Sequence, residues 1–343
     1  MRELRRNQRL FVAAALFACG SAALSAGSLD RAGLDREFQK LAAGFDGRVG
    51  ICAQDRAGAV CLDGDGRFSL QSVMKLVAAV AVMDAIDAGR MRLNEEVLVR
   101  KEDLSVFVQP IAKLVTANGY RTTIGDLIRR AIVDSDSAAV DILIGKLGGP
   151  EQVQAFLNSR SIQGLRVDRT EKRLQSEIVG LHWRPEFTDP AVFARAIQSV
   201  PEETRDASYS RYQADPRDTS TPKAMADFLY RLAEGKLLSR QSTEFIVTVM
   251  HATATFPDRL KAGLARGWKL GHKTGTSGAW KGVTAATNDA GILTSPAGDH
   301  VAIVVFIGDS RAASEQKAKL MAAAARAAID RFLPTPAERR AKQ

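Results

Sequence analysis

Metal-ligand spacing is the first thing this sequence lacks. Its three cysteines and four histidines are spread over 343 residues, with none at the close intervals that hold zinc. There is no Walker-type phosphate loop and no internal repeat, so nucleotide hydrolysis and solenoid architectures have nothing to rest on. No cofactor and no metal are expected. The formal net charge is +9, yet the basic residues are scattered and no aromatic-interleaved basic stripe exists, which leaves nucleic acid out as a partner. What is there, 45% hydrophobic and 25% charged residues, is the composition of an ordinary globular protein. The length suits one large domain or two interlocked ones.

The N-terminus follows a different rule. Arg2, Arg5, Arg6 and Arg9 precede an apolar run from Leu10 to Cys19 and then small residues, the pattern of a secretory signal over 1–26, with cleavage near Ser25 or Ala26. The run is too short for a stable membrane span. A lipoprotein acylated at Cys19 is the alternative, although the bulky Phe17 suits that processing poorly. The four leader arginines against Glu3 account for +3 of the net charge. Beyond the leader, Cys52 and Cys61 flank "AQDRAGAV", two short strands around a Gly58 turn. In an oxidising compartment they either pair across that hairpin, if the register allows, or pack as two small reduced hydrophobes.

Periodicity predicts an amphipathic helix over 30–46, a β-hairpin in "GRVGICAQD" and "GAVCLDGDGRF", and helices over 72–89, 123–147, 151–159 and 222–235. Thr123 would cap the second of these, Gly148-Gly149 would end it, and Pro222 suits a first helical turn. Strand signals return in "GWKLGHKTGTSG", "KGVTAATNDAGILT" and "HVAIVVFIG", and a helix over 312–332 precedes a charged tail at 334–343. This order implies a helical domain, 67–252, inserted into an α+β sandwich formed by 27–66 and 253–333.

One stretch poses a chemical problem. In "SLQSVMKLVAAVAVMDAIDAG", residues 69–89, Lys75 stands one turn after Ser72 in an otherwise apolar helix, where an ammonium is costly. A serine hydroxyl is a weak nucleophile until a neighbour takes its proton, and residues three apart at a helix start share a face. Lysine can be that neighbour if burial or another cation lowers its pKa. A snorkelling lysine beside an N-cap serine would also account for S-x-x-K taken alone. The motif has company, however: Ser135-Asp136-Ser137 in "AIVDSDSAAVDILI" and Lys273-Thr274-Gly275 in "LGHKTGTSG".

With these three motifs in this order, the chain resembles the class A serine β-lactamases, whose signature is S-x-x-K, S-D-N and K-T-G. "RVDRTEKRLQ" resembles the family's E-x-x-L-N segment, and "DPRDTSTPKAMADFL" the return of its Ω-loop, here 169–222. The resemblance implies a β-lactamase/transpeptidase-like α+β fold with an antiparallel five-stranded sheet and hydrolysis of β-lactam antibiotics in the periplasm by a monomer. It implies Ser72 as the acylated nucleophile, Lys75 as proton shuttle, Ser135 as proton donor to the ring nitrogen and Glu171 as the group activating water. Lys273, Thr274 and Gly275 would line the substrate's carboxylate side, with the N–H groups of Ser72 and Thr276 as oxyanion hole. Arg169 and Asp218 would pair across the loop base. Arg259 is either a supplementary carboxylate-binding arginine or a plain surface one, and His272 a structural neighbour. Whether Lys75 or Glu171 is the acylation base stays open.

Departures from the pattern bear on function. Ser137 stands where the family has asparagine, which puts its contact with the substrate's acylamino group in doubt, and Gln175 replaces the asparagine that positions the deacylating water. An insertion over 176–214 carries Trp183, Phe187, Phe193, Tyr209 and Tyr212. Its length predicts an extra helix over 190–200, serving as a lid or wall of the pocket or as a surface decoration. No cysteine adjoins Ser72 or follows Gly275, which argues against carbapenem hydrolysis. A D,D-peptidase-like cell-wall enzyme and a penicillin sensor that acylates without turnover are the alternative functions.

Overall fold

The architecture is that of a computed structural model describing residues 27–333; the leader, the Cys19 alternative and the 334–343 tail lie outside the described residues. Its centre is an antiparallel sheet with strand order Gly58–Leu62, Arg48–Asp55, His300–Ser310, Val283–Thr294, Lys269–Thr276. A two-residue strand, Ala279–Trp280, adds to one edge, so the five-stranded expectation gains a short sixth member. Both faces are covered, which is why "VAIVVFI" reads as a continuous apolar run. Val301, Ile303, Val305 and Ile307 point to the side holding Leu34, Phe38, Met321 and Ala325, while Ala302, Val304 and Phe306 point to the side holding Met225 and Phe228. That alternation is the two-residue period of a strand. Cys52 and Cys61 are register partners across the hairpin and are disulfide-bonded.

Helices Arg31–Ala42 and Ser314–Asp330, shorter than the 30–46 and 312–332 expected, cover the first face. Strands Ser28–Leu29 and Phe332–Leu333 pair, so the ends of the described chain meet in the sheet half. The helical half is built around Met74–Asp87, in which eleven of fourteen residues are buried; a helix apolar on every side belongs at the centre of a bundle. Helices Ile124–Val133, Ser137–Leu147, Pro150–Ser159 and Arg240–His251 pack on it. The last of these was not expected from the sequence.

The single helix expected over 123–147 is two. Thr123 does cap the first and Gly148, at φ 105°, ends the second. Between them Ser135 turns into the left-handed region at φ 58°, and Asp136 caps the second helix by accepting from Ala139 N at 2.9 Å. The insertion likewise holds two helices where one was expected, Pro190–Gln198 and Glu202–Ala214. The first carries Phe193 onto Phe187, Val106 and Phe107; the second brings Tyr209 to the hairpin after the K-T-G strand, where its hydroxyl lies 3.0 Å from Gly278 O and 2.9 Å from Val283 O. These contacts fit a wall better than a detached decoration.

Candidate active site

Ser72 lies on a single 3₁₀ turn, Gln71–Val73, that runs straight into the buried Met74–Asp87 helix. The turn is strained, with Gln71 at φ 48°, a conformation that costs a non-glycine residue about 1–3 kcal/mol and persists only when its surroundings enforce it. They do. Asn288, on the Val283–Thr294 strand, donates to the carbonyls of Ser69 at 2.7 Å and Leu70 at 3.1 Å, while the Leu70 N–H donates to Asp218 O at 2.9 Å. On the other side the Lys269–Thr276 strand presses its backbone against the turn at Gly275. A Cβ there would sit 2.5 Å from Leu70 O and 3.1 Å from Ser72 N, so only glycine lets the two segments touch.

Six polar residues, Ser72, Lys75, Ser135, Ser137, Glu171 and Lys273, converge at the turn. The Ser72 hydroxyl donates to Glu171 Oε1 at 3.3 Å, and the same oxygen lies 3.3 Å from Lys75 Nζ. Lys75, fully buried, also donates to Ser135 O at 2.6 Å and Ser137 Oγ at 3.0 Å, so the acceptors that compensate its burial are supplied by the other motif segments. Lys273, equally buried, donates to Ser135 Oγ at 3.0 Å and to Thr274 O at 2.8 Å. Burial, and then the charge of Lys75, hold the Lys273 ammonium well below the usual lysine range. The left-handed turn at Ser135 is what lets one residue face both amines, its carbonyl toward Lys75 and its hydroxyl toward Lys273. Ser137, expected on the substrate side, instead spends its hydroxyl on Lys75 and is buried.

The K-T-G strand makes further polar contacts. Thr274 Oγ1 shares a hydrogen bond with Thr255 Oγ1 at 2.6 Å, and Arg259 donates to Thr276 Oγ1 at 2.8 Å and Asn288 O at 3.0 Å. Arg259 is 5% exposed, which removes the surface reading; burial lowers its pKa, with Asp289 and Asp258 opposing. His272 faces away, its Nδ1 within hydrogen-bond distance of Asp289 Oδ1 at 2.8 Å.

Glu171 opens the helix Glu171–Ile178, and its position depends on Asp141, a residue the sequence reading missed. Asp141 accepts the N–H groups of Glu171 at 2.6 Å and Lys172 at 3.0 Å and the Ser105 hydroxyl at 2.8 Å, capping the helix from a neighbouring one. The loop base is held by Arg169, which bonds Asp218 at 2.6 Å and Glu177 at 2.6 Å and lies 3.2 Å from Asp215. A cavity of about 590 Å³ borders Arg169, Glu177, Tyr212 and Arg217, but none of Ser72, Lys75 or Lys273 lines it. Its guanidinium and carboxylate groups are largely paired with one another, so it is a gap under the loop and not the reaction site.

Asn288, Gln71 and Tyr212 were also missed. Asn288 had a signal, the polar "TND" in an otherwise apolar strand, and Asp141 had the same oddity as Lys75, a charge on an apolar helix.

The family model described as "Beta-lactamase enzyme family" matches residues 33–332. Among curated relatives, beta-lactamase VEB-1 of Pseudomonas aeruginosa is 29% identical over 262 residues, 76% of each chain. Beta-lactamase CTX-M-6 of Salmonella typhimurium is 30% identical over 295 residues, 85% of this chain and 87% of its own. Among solved structures, a beta-lactamase from Chitinophaga pinensis superposes with a TM-score of 0.72 at 27% identity, covering 87% of this chain and 98% of that one. An ancestral class A beta-lactamase superposes with a TM-score of 0.68 at 29% identity, covering 87% and 99%.

Proposed function

Because the chain belongs to the class A β-lactamase family, we infer that it hydrolyses β-lactams through an acyl-enzyme on Ser72 that is released by water activated at Glu171. The observation that carries this reading is the meeting at one oxygen, Glu171 Oε1, of the Ser72 hydroxyl and the Lys75 ammonium, each 3.3 Å away.

In the proposed sequence the Ser72 proton passes into the Lys75–Glu171 pair, Oγ attacks the lactam carbonyl, and the C–N bond breaks. Ser135, its hydroxyl 3.0 Å from Lys273 Nζ, gives a proton to the departing nitrogen. Among the described residues Lys273 has only a hydroxyl and a carbonyl as partners, so a substrate carboxylate supplies the counter-charge it lacks, with Thr274 and Arg259 alongside. The N–H groups of Ser72 and Thr276 form the oxyanion hole, where one donor is typically worth about 2.7–4 kcal/mol of barrier. Water, losing a proton to Glu171, then attacks the ester and frees Ser72. We take the enzyme to be exported by its leader and to act as a monomer, as the family resemblance implies; no helix among the described residues is long and apolar enough to cross a membrane.

A chromogenic cephalosporin tests the assignment, with turnover by the mature protein and none by Ser72→Ala; equal rates would refute it. Intact-mass measurement after penicillin exposure separates an enzyme from a sensor, since a turnover enzyme loses its adduct. Removal of a general base slows its step by about 10²–10⁴-fold, so Glu171→Gln should retain the adduct. Undiminished turnover in that variant would assign the water to another group.

A further inference from the structure

The Ω-loop insertion reaches the catalytic carboxylate through side chains. Tyr212, on the insertion helix Glu202–Ala214, accepts a hydrogen bond from the Gln71 side-chain amide, and its hydroxyl also lies 2.8 Å from Ser69 Oγ. Gln71 Oε1 accepts from Gln175 Nε2 at 2.9 Å, and that same nitrogen donates to Glu171 Oε2 at 3.1 Å. Glu171 Oε1 faces Ser72 and Lys75. An ionised carboxylate only accepts, so it turns the Gln175 NH₂ toward itself. Both hydrogens of that NH₂ are then committed, one to Glu171 and one to Gln71, which forces the Gln71 oxygen inward and its NH₂ outward. The outward NH₂ needs an acceptor, and Tyr212 is that acceptor. A flip of either amide would set nitrogen against nitrogen or oxygen against carboxylate, so the orientation of the whole chain is self-consistent in one direction only.

We propose that Tyr212, Gln71 and Gln175 are positioning residues which fix the Glu171 carboxylate for the deacylation half of the reaction, making the 176–214 insertion a working part of the active site. The proposal rests on the reading of Glu171 as the group that activates water. The strained turn serves the same chain: Gln71, held at a left-handed φ of 48° and 1% exposed, has its amide between Tyr212 and Gln175. Acylation uses Ser72, the oxyanion hole and the Lys75–Glu171 pair through Glu171 Oε1, which Lys75 and Ser72 themselves hold; only the second half requires Glu171 Oε2 to stay where a water can be shared with it. A loosened carboxylate therefore slows hydrolysis of the ester more than its formation.

Stopped-flow kinetics on Tyr212→Phe separate the two halves. That variant keeps the ring against Tyr209, 6.0 Å between centroids, and removes the acceptor for Gln71 together with the Ser69 Oγ contact, which Gln71→Leu leaves in place. The deacylation rate should fall about tenfold, the effect of leaving one buried donor unpaired, with the acylation rate changed less than about threefold. KM should then fall with kcat, as it does when the second step limits turnover. Gln71→Leu should reproduce the loss, and the double variant should be no slower than either single one, because both cut the same chain. Equal losses in both half-reactions, an unchanged deacylation rate, or additive losses in the double variant would overturn the proposal. If Tyr212→Phe fails to fold, Gln71→Leu alone decides by the same ratio of rates. Glu171→Gln keeps the two readings apart: a lasting adduct there with normal deacylation in Tyr212→Phe rejects only the positioning chain.

Discussion

Asp141 carries a carboxyl that burial pushes up to about 6, against the opposing hydrogen bond from Ser105, with the nearby charge of Glu171 acting in the same direction as burial. Its folded pKa lies above the ordinary 3.8, so the folded state holds this proton more tightly than the unfolded chain does. The stability this contributes is fully present below pH 3.8 and is lost as pH rises through about 6. At about 1.4 kcal/mol per pKa unit, the swing is on the order of 3 kcal/mol. Urea midpoints for the native protein and Asp141→Asn, taken between pH 4 and 7, should show the variant gaining on the native protein across that window and holding a constant difference above it. A pH-independent difference would place the carboxyl's titration elsewhere. Residues of this kind explain what was hard to read. Ser72, Lys75, Ser135 and Lys273 stood out through short motifs, and Glu171 through the resemblance those motifs carry; the structure brings all five together. Asp141, Asn288, Gln71 and Tyr212 work on groups up to 219 positions away, which no local pattern records.

At the scale of elements, legibility followed the strength of local punctuation. Thr123, Pro222 and Gly148 marked helix ends that the structure retains, because capping and helix-breaking act within a turn. The break at Ser135 was invisible, since a serine gives no notice that it will adopt a left-handed φ enforced by partners elsewhere. The contact between the K-T-G strand and the Ser72 turn belongs to the same class, and Gly275→Ala tests it. The added Cβ would meet Leu70 O at 2.5 Å, so strand and turn must separate. Overpacking of this kind typically costs about 1–3 kcal/mol, a drop of several degrees in Tm, and the acylation rate should fall by about tenfold or more as the oxyanion donors part. Gly145→Ala is the matched control: it has nothing within 4 Å of its added Cβ, lies in the Ser137–Leu147 helix, and should leave acylation unchanged. Equal acylation rates in all three proteins would show that the close approach does not set the oxyanion hole.

The candidate site lies on the seam between the two halves of the molecule. The sheet half supplies Lys273, Thr274 and the Asn288 anchor of the Ser72 turn, and the helical half supplies Lys75, Ser135 and Glu171. Chains of this size often unfold half by half. Here one apolar cluster runs without interruption from Cys52, Ile292 and Phe306 in the sheet to Leu76, Val80 and Ile128 in the helices, so separating the halves would expose the centre of the core itself. Three probes in one urea titration should therefore share a midpoint: β-lactam hydrolysis, which needs the seam; far-UV circular dichroism, dominated by the helices; and fluorescence of Trp268, which packs edge-on to Phe332 in the sheet half, read with Trp183 and Trp280 replaced by phenylalanine. Activity lost at lower urea than either optical signal would mean that the seam opens first. The shared core would then be two cores in contact, with the catalytic groups held together by the polar contacts of the seam alone.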